Sequence, residues 1–255
     1  MSEILKILSV GIRFGGVQAL EGVTFSVEKG ELLGLIGPNG AGKTTAIRII
    51  TGILRLESGQ VLLNGEDITG LPTHMRIRKG IALTHQIVRP FRSMTVLDNV
   101  VLAAGLKKTK HPLSSLFHLT RSEEEELASA VLDRVGLGGA IRGEAASLPL
   151  GQLKRLEVAR ALALKPEVLL LDEPLAGLNQ REATTFADTI VDLNRDGLSV
   201  VLVEHNLSEV LRITGRLHVL DNGRTLAEGP PAAVMADPRV QEAYLGRSEA
   251  RHAAA

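Results

Sequence analysis

The chain has 255 residues with no Cys, no Trp, five Phe and one Tyr, and its hydrophobic fraction of 44% excludes a disordered chain. Twenty-nine Lys and Arg balance 29 Asp and Glu, so the net charge is zero and binding to nucleic acid by counterion release is disfavoured. Without cysteine there is no disulfide scaffold, zinc ribbon or redox CxxC. In chain order, Val23, Phe25 and Val27 alternate with polar residues as a half-buried strand does, and Lys29-Gly30 closes the run. A continuous apolar strand, Leu32–Ile36, leads into a glycine-rich loop and a helix over 43–53. Short strands around 61–63 and 81–83 flank a turn-rich segment, so the opening reads as a small antiparallel sheet against a parallel one.

From about 95 to 164 the period is helical, with Val96, Val100, Val101 and Ala104 on one stripe and Leu127, Val131, Leu132 and Val135 on another. A polar insertion, 107–112, lies between them, and the acidic run 123–126 reads as the first turn of a helix. The last third alternates: strand Val168–Asp172, helix 181–195, strand 199–204, a short helix after Asn206, then strands over 217–220 and 225–228. Such alternation predicts right-handed crossovers and a parallel sheet covered by helices. Residues 246–255 read as a disordered tail. No run nears the roughly 18 apolar residues of a membrane span, and residues 1–6 lack a secretory signal. The expectation is a soluble, intracellular protein that meets a membrane only through a partner.

Gly37, Pro38, Asn39, Gly40, Ala41, Gly42, Lys43, Thr44 and Thr45 fit G-x-x-x-x-G-K-[ST] between a strand and a helix. Glycines let backbone N–H groups converge on phosphate oxygens, and the helix N-terminus adds its positive dipole end. Lys43 is placed to reach the β- and γ-phosphates, and the Thr44 hydroxyl to ligate Mg²⁺. A second acidic element, Asp172-Glu173, ends an apolar strand that delivers its polar end to the same sheet edge. There Asp172 is expected to hold Mg²⁺, and Glu173 to orient and deprotonate the attacking water. A guanine-reading Asn-Lys-x-Asp is absent, which argues against a GTPase.

Three further features follow in order: Gln86 after the strand ending at Thr84, Leu148-Pro149-Leu150-Gly151-Gln152 before a helix expected over 153–164, and His205 after Glu204. Around one phosphate loop this set resembles the ATP-binding-cassette (ABC) family of transport ATPases over nearly the whole chain. The resemblance implies a P-loop NTPase core with a parallel sheet, an N-terminal antiparallel β-subdomain and an inserted α-helical subdomain at about 88–164, all in one domain spanning 1–245. It implies that Gln86 touches Mg²⁺ and the attacking water, that His205 contacts the γ-phosphate, and that Phe14 stacks on adenine, against the alternative of a core Phe. It also implies that Leu150, Gly151 and Gln152 close over the ATP of a second ATPase subunit in a head-to-tail dimer, with Ala176-Gly177-Leu178-Asn179 at the junction.

Within the family, residues 13–20, 88–96 and 237–246, the insertion after Gly105, and Asn179 are similar to ATPases of branched-chain amino acid importers. Urea, amide and lipopolysaccharide transport ATPases share parts of this pattern and stand as the alternative. The implied partners are transmembrane permease subunits, a second ATPase and, indirectly, a solute-binding protein, with no nucleic acid. The implied place is the cytoplasmic face of the membrane. Two departures stand out: Pro149 and Leu150 replace the usual Ser and Gly, and His85 stands where an apolar residue is typical.

Overall fold

The structure, a computed structural model, describes residues 2–84, 90–105 and 122–244. Strands β1 (Glu3–Phe14) and β2 (Val17–Glu28) form a hairpin through Gly15-Gly16, both at positive φ (52° and 91°) as a tight turn demands. Register shifts interrupt their pairing, for example between Ile7 and Val10, which is why β1 shows no clean alternation in its sequence. Next come β3 (Leu32–Ile36), α1 (Lys43–Ile50), β4 (Ser58–Leu63) and β5 (Glu66–Asp67). Then α2 (Thr73–Arg78), absent from the sequence reading, is held by Arg76, whose guanidinium donates to Ile49 O (2.6 Å) and Ile50 O (2.9 Å) at the end of α1. After β6 (Ile81–Thr84) come the helices α3 (Val96–Gly105), α4 (Ser122–Arg134) and α5 (Leu150–Ala163). The last third runs β7 (Val168–Asp172), α6 (Gln180–Arg195), β8 (Ser199–Val203), α7 (Leu207–Ile213), β9 (Arg216–Asp221), β10 (Arg224–Gly229) and α8 (Pro231–Met235).

Two sheets result. The smaller is antiparallel in the order β2-β1-β4-β5, and the larger runs β10-β9-β3-β8-β7-β6, parallel except for β10 at its edge. The expected combination of a parallel core and an antiparallel subdomain is therefore the fold observed. Strands β3, β7 and β8 are buried at all five positions, as central parallel strands covered on both faces must be. Their side chains alternate between two cores. Leu33, Leu35, Leu170 and Val201 join Ala46, Ile47 and Ile50 of α1 and the inner face of the small sheet. Leu169, Leu171, Val200 and Leu202 point the other way, into a core shared with α3, α4, α5 and α6. Helices α3, α4 and α5 pack on one another, and their apolar residues run without a break into that second core. Gly34 permits the close approach of α7, since a Cβ there would lie 2.6 Å from Leu217 Cδ2 and 3.0 Å from Val210 Cγ1.

Candidate active site

The glycine-rich loop leaves β3 at Ile36 and enters α1 at Lys43, with Gly42 as N-cap at φ 105°. A Cβ on Gly42 would meet Leu20 Cδ2 at 2.5 Å and Ala19 O at 2.9 Å, so the loop rests directly on β2 and only glycine fits. Gly40, by contrast, faces open space, with nothing within 4 Å of a Cβ position. Lys43 is 5% exposed, and its Nζ donates to Gly37 O (2.6 Å) and Pro38 O (3.0 Å). The Ala41 N–H donates to Pro38 O (3.1 Å), tightening the turn. On the far side of Gly37 lies the Tyr244 phenol. Burial pushes it up to about 12, and the nearby Gly37 backbone N–H works in the opposite direction.

Parallel pairing of β3, β8 and β7 brings their C-terminal ends to one edge, with Leu35 opposite Val203 and Asp172 also opposite Val203. The Thr44 hydroxyl donates to Asp172 Oδ1 at 3.5 Å, joining the first turn of α1 to the end of β7. Glu173 follows in the left-handed region (φ 53°), a costly conformation for a side chain of its length. Its N–H donates to Val203 O (2.9 Å), and its Oε1 lies 2.8 Å from His205 Nε2. Asn39, Gly40, Lys43, Thr44, Thr45 and Ala19 line a cleft of about 220 Å³ together with Glu173 and His205. Ala19 was not anticipated; it reaches the cleft because β2 backs the loop.

Behind that wall lie two charged residues that sequence reasoning passed over. Glu204 is 2% exposed; its Oε1 accepts the Leu175 N–H (2.5 Å) and its Oε2 the His205 N–H (3.0 Å). Burial pushes its carboxyl above the usual range, while the N–H bonds and the Lys154 charge pull the other way. Lys154, on α5 and 6% exposed, donates from Nζ to Glu173 O at 2.9 Å. Burial lowers its ammonium, opposed by Glu204 and then Glu173.

Helix α5 begins at Leu150, three residues before the expected start, with Pro149 as N-cap (φ −64°, ψ 161°). Leu150, Gly151 and Gln152 therefore form its first turn, and the Leu153 N–H closes that turn on Pro149 O (3.0 Å). Gly151 packs beside Leu178 and Glu182. Asn179 caps α6 in a reciprocal box, accepting the Glu182 N–H (3.0 Å) while Glu182 Oε2 accepts the Asn179 N–H (3.1 Å). Pro149, Gly151, Gln152 and Leu178 line a second cleft of about 240 Å³, so the turn is not part of the phosphate-loop cleft. Phe14 is 47% exposed beside the Gly15-Gly16 turn and belongs to neither core, which removes the core alternative; it does not line the phosphate-loop cleft either. Gln86 and His85 lie outside the described residues, as do the insertion 107–112 and the tail 246–255.

Thr44 and Asp172 offer oxygen donors suited to a hard cation. Among the described residues no group of three His, Cys, Asp or Glu could hold a metal ion. No described helix is long and apolar enough to cross a membrane.

The family model for ABC transporters matches residues 20–176, and that for branched-chain amino acid ATP-binding cassette transporters matches 224–250. The chain is 38% identical over 251 residues to the high-affinity branched-chain amino acid transport ATP-binding protein BraF of Pseudomonas aeruginosa, covering 96% of this chain and 98% of that protein. It is 36% identical over 256 residues to LivG of Escherichia coli, with the same coverage. A solved ATP-binding cassette of an ABC transporter in its ADP conformation superposes with a TM-score of 0.86 at 35% identity, covering 96% of this chain and 100% of that one. A nucleotide-free cassette gives 0.84 at 33%, covering 95% and 99%. A dimeric cassette bound to ADP and Pi in a post-hydrolysis state gives 0.77 at 26%, covering 89% and 99%.

Proposed function

Since this chain belongs to the ABC transporter ATP-binding family, we propose that it hydrolyses ATP at the phosphate-loop cleft to power a membrane importer of branched-chain amino acids. One observation carries the hydrolytic reading: the Glu173–His205 pair, 2.8 Å apart, lines a single cleft with Lys43 and Thr44. Backbone N–H groups of 40–45 and the Lys43 ammonium bind the β- and γ-phosphates, which they neutralise in the ground state. Thr44, Asp172 and Gln86 are the residues that would hold Mg²⁺, and when bound it neutralises charge on the phosphates. Glu173 orients the attacking water and accepts its proton, while His205 contacts the γ-phosphate and holds the Glu173 carboxylate in place. Phe14 stacks on adenine from the hairpin tip.

The first turn of α5 closes over the ATP of a second ATPase subunit. That reading is supported by the turn's position off its own chain's phosphate cleft and by the related cassette solved as a dimer. The helices of 88–164 dock on permease subunits at the cytoplasmic face, and a solute-binding protein delivers the amino acid to them. The match over 224–250 favours branched-chain amino acids over urea, amides or lipopolysaccharide.

Lys43 and Glu173 separate binding from chemistry. Lys43→Ala should abolish ATP binding. Glu173→Gln should bind ATP normally yet hydrolyse it about 10²–10⁴-fold more slowly, the usual worth of a positioned base. Equilibrium nucleotide binding and steady-state ATPase assays check both, and near-normal turnover by Glu173→Gln would remove Glu173 as the base.

A further inference from the structure

We infer that Glu204, together with Lys154, is a positioning residue for hydrolysis, fixing the backbone on both sides of the Glu173–His205 pair. The inference rests on Glu173 being the base. Neither residue lines the phosphate-loop cleft, so neither is placed to touch nucleotide. Their bonds instead converge on the frame that carries the reacting groups. One Glu204 oxygen takes the Leu175 N–H, two residues after Glu173, and the other takes the N–H of His205 itself. Lys154 holds the Glu173 carbonyl. Glu173 thus has its N–H on Val203, its carbonyl on Lys154 and its following turn on Glu204, at φ 53°. A left-handed conformation at a long side chain persists only where its surroundings over-determine it, and these bonds supply that determination.

The plain alternative is that two buried charges are kept for stability. Buried charges seldom add net stability over well-packed apolar side chains, because each ion loses its hydration. Here the carboxylate accepts from backbone donors at two different strand ends, and the ammonium donates to a backbone carbonyl. A well-packed apolar side chain at 204 would fill the volume and leave those donors unpaired, and the 2.8 Å spacing of Glu173 and His205 would lose its support.

The experiment uses the full chain. Glu204→Gln turns one accepting oxygen into an NH₂ that cannot accept an N–H. Its kcat should fall about 10- to 100-fold, the scale of a displacement near 1 Å at a reacting group, with KM and the ATP dissociation constant within about threefold of wild type. Placed on Glu173→Gln, the same change should cost little further single-turnover rate, while lowering the unfolding midpoint equally in both backgrounds. Glu204→Asp keeps the charge beside Lys154 but is one methylene shorter, so it gives a folded test if Glu204→Gln is unstable; it should lose kcat selectively too. Wild-type kcat in either folded variant overturns the inference. So does a loss of rate of equal size with and without the Glu173 carboxylate, which would mark a structural role. If Glu173→Gln alone is fully active, the base assignment fails first; if it is inactive while the Glu204 variants are normal, only the positioning role fails.

Discussion

Phe14 is an aromatic ring with 47% of its surface in water, in a chain that has only five Phe. A ring so placed is available for stacking on a base, an interaction worth about 1–3 kcal/mol that discriminates poorly because every base has a π-face. Phe14→Ala should therefore raise KM for ATP roughly tenfold with turnover nearly unchanged, since ground and transition states lose the same contact. ATP and GTP should also serve with similar kcat/KM in the wild type. Parallel ATPase measurements with both nucleotides decide this, and an unchanged KM would take Phe14 out of the site. At this scale Lys43, Thr44, Asp172 and Glu173 are legible because the phosphate-loop spacing and the acidic end of an apolar strand point to them, and His205 only through the family resemblance. Lys154 and Glu204 are not. A buried charge carries the same letter as a solvated one, and only the fold reveals that these two lie behind the cleft wall.

At the scale of the element, α5 shows how a helix can begin where its sequence suggests a break. Pro and Gly within Leu148-Pro149-Leu150-Gly151 delayed the expected start to 153, yet Pro149 serves as N-cap with extended ψ and needs no N–H there. The same limits of local pattern hid α2 and α8, which are too short to show a period, and β1, whose bulges break its alternation. Pro149 also brings neither a capping hydroxyl nor a backbone donor to the turn. Pro149→Ser restores both. It should stabilise the chain by about 0.5–2 kcal/mol as a new N-cap. If the turn grips a γ-phosphate across a dimer, it should also tighten ATP-dependent self-association about tenfold, because a hydrogen bond to a charged group is worth about 1.5–3 kcal/mol. Urea unfolding and sedimentation of the isolated chain with ATP measure the two effects separately. Improved stability without tighter association would mean that the first-turn backbone of Leu150, Gly151 and Gln152 already suffices.

For the whole molecule, the site depends on parts far apart in sequence. Tyr244 packs against the helix-covered core with its hydroxyl near the backbone N–H of Gly37, the first residue of the phosphate loop. Tyr244→Phe keeps the ring and removes the hydroxyl, which should cost about 0.5–1.5 kcal/mol of stability and raise KM for ATP a few-fold if the hydroxyl steadies the loop. Thermal unfolding with and without nucleotide would show it, and an unaltered midpoint would make the hydroxyl dispensable. The sheet order has a second consequence. β3, which carries the phosphate loop, pairs on one side with β8 and on the other with β9. On the ribosome the N-terminal residues emerge first, so the hairpin of β1 and β2 can close while the apolar stretch Leu32–Ile36 still has no partner in its sheet. A nascent chain halted between β7 and β8 therefore contains every residue of the phosphate loop but no nucleotide site, and presents an unpaired apolar edge instead. Only once β8 and β9 have been made does the strand that carries the phosphate loop gain both of its neighbours.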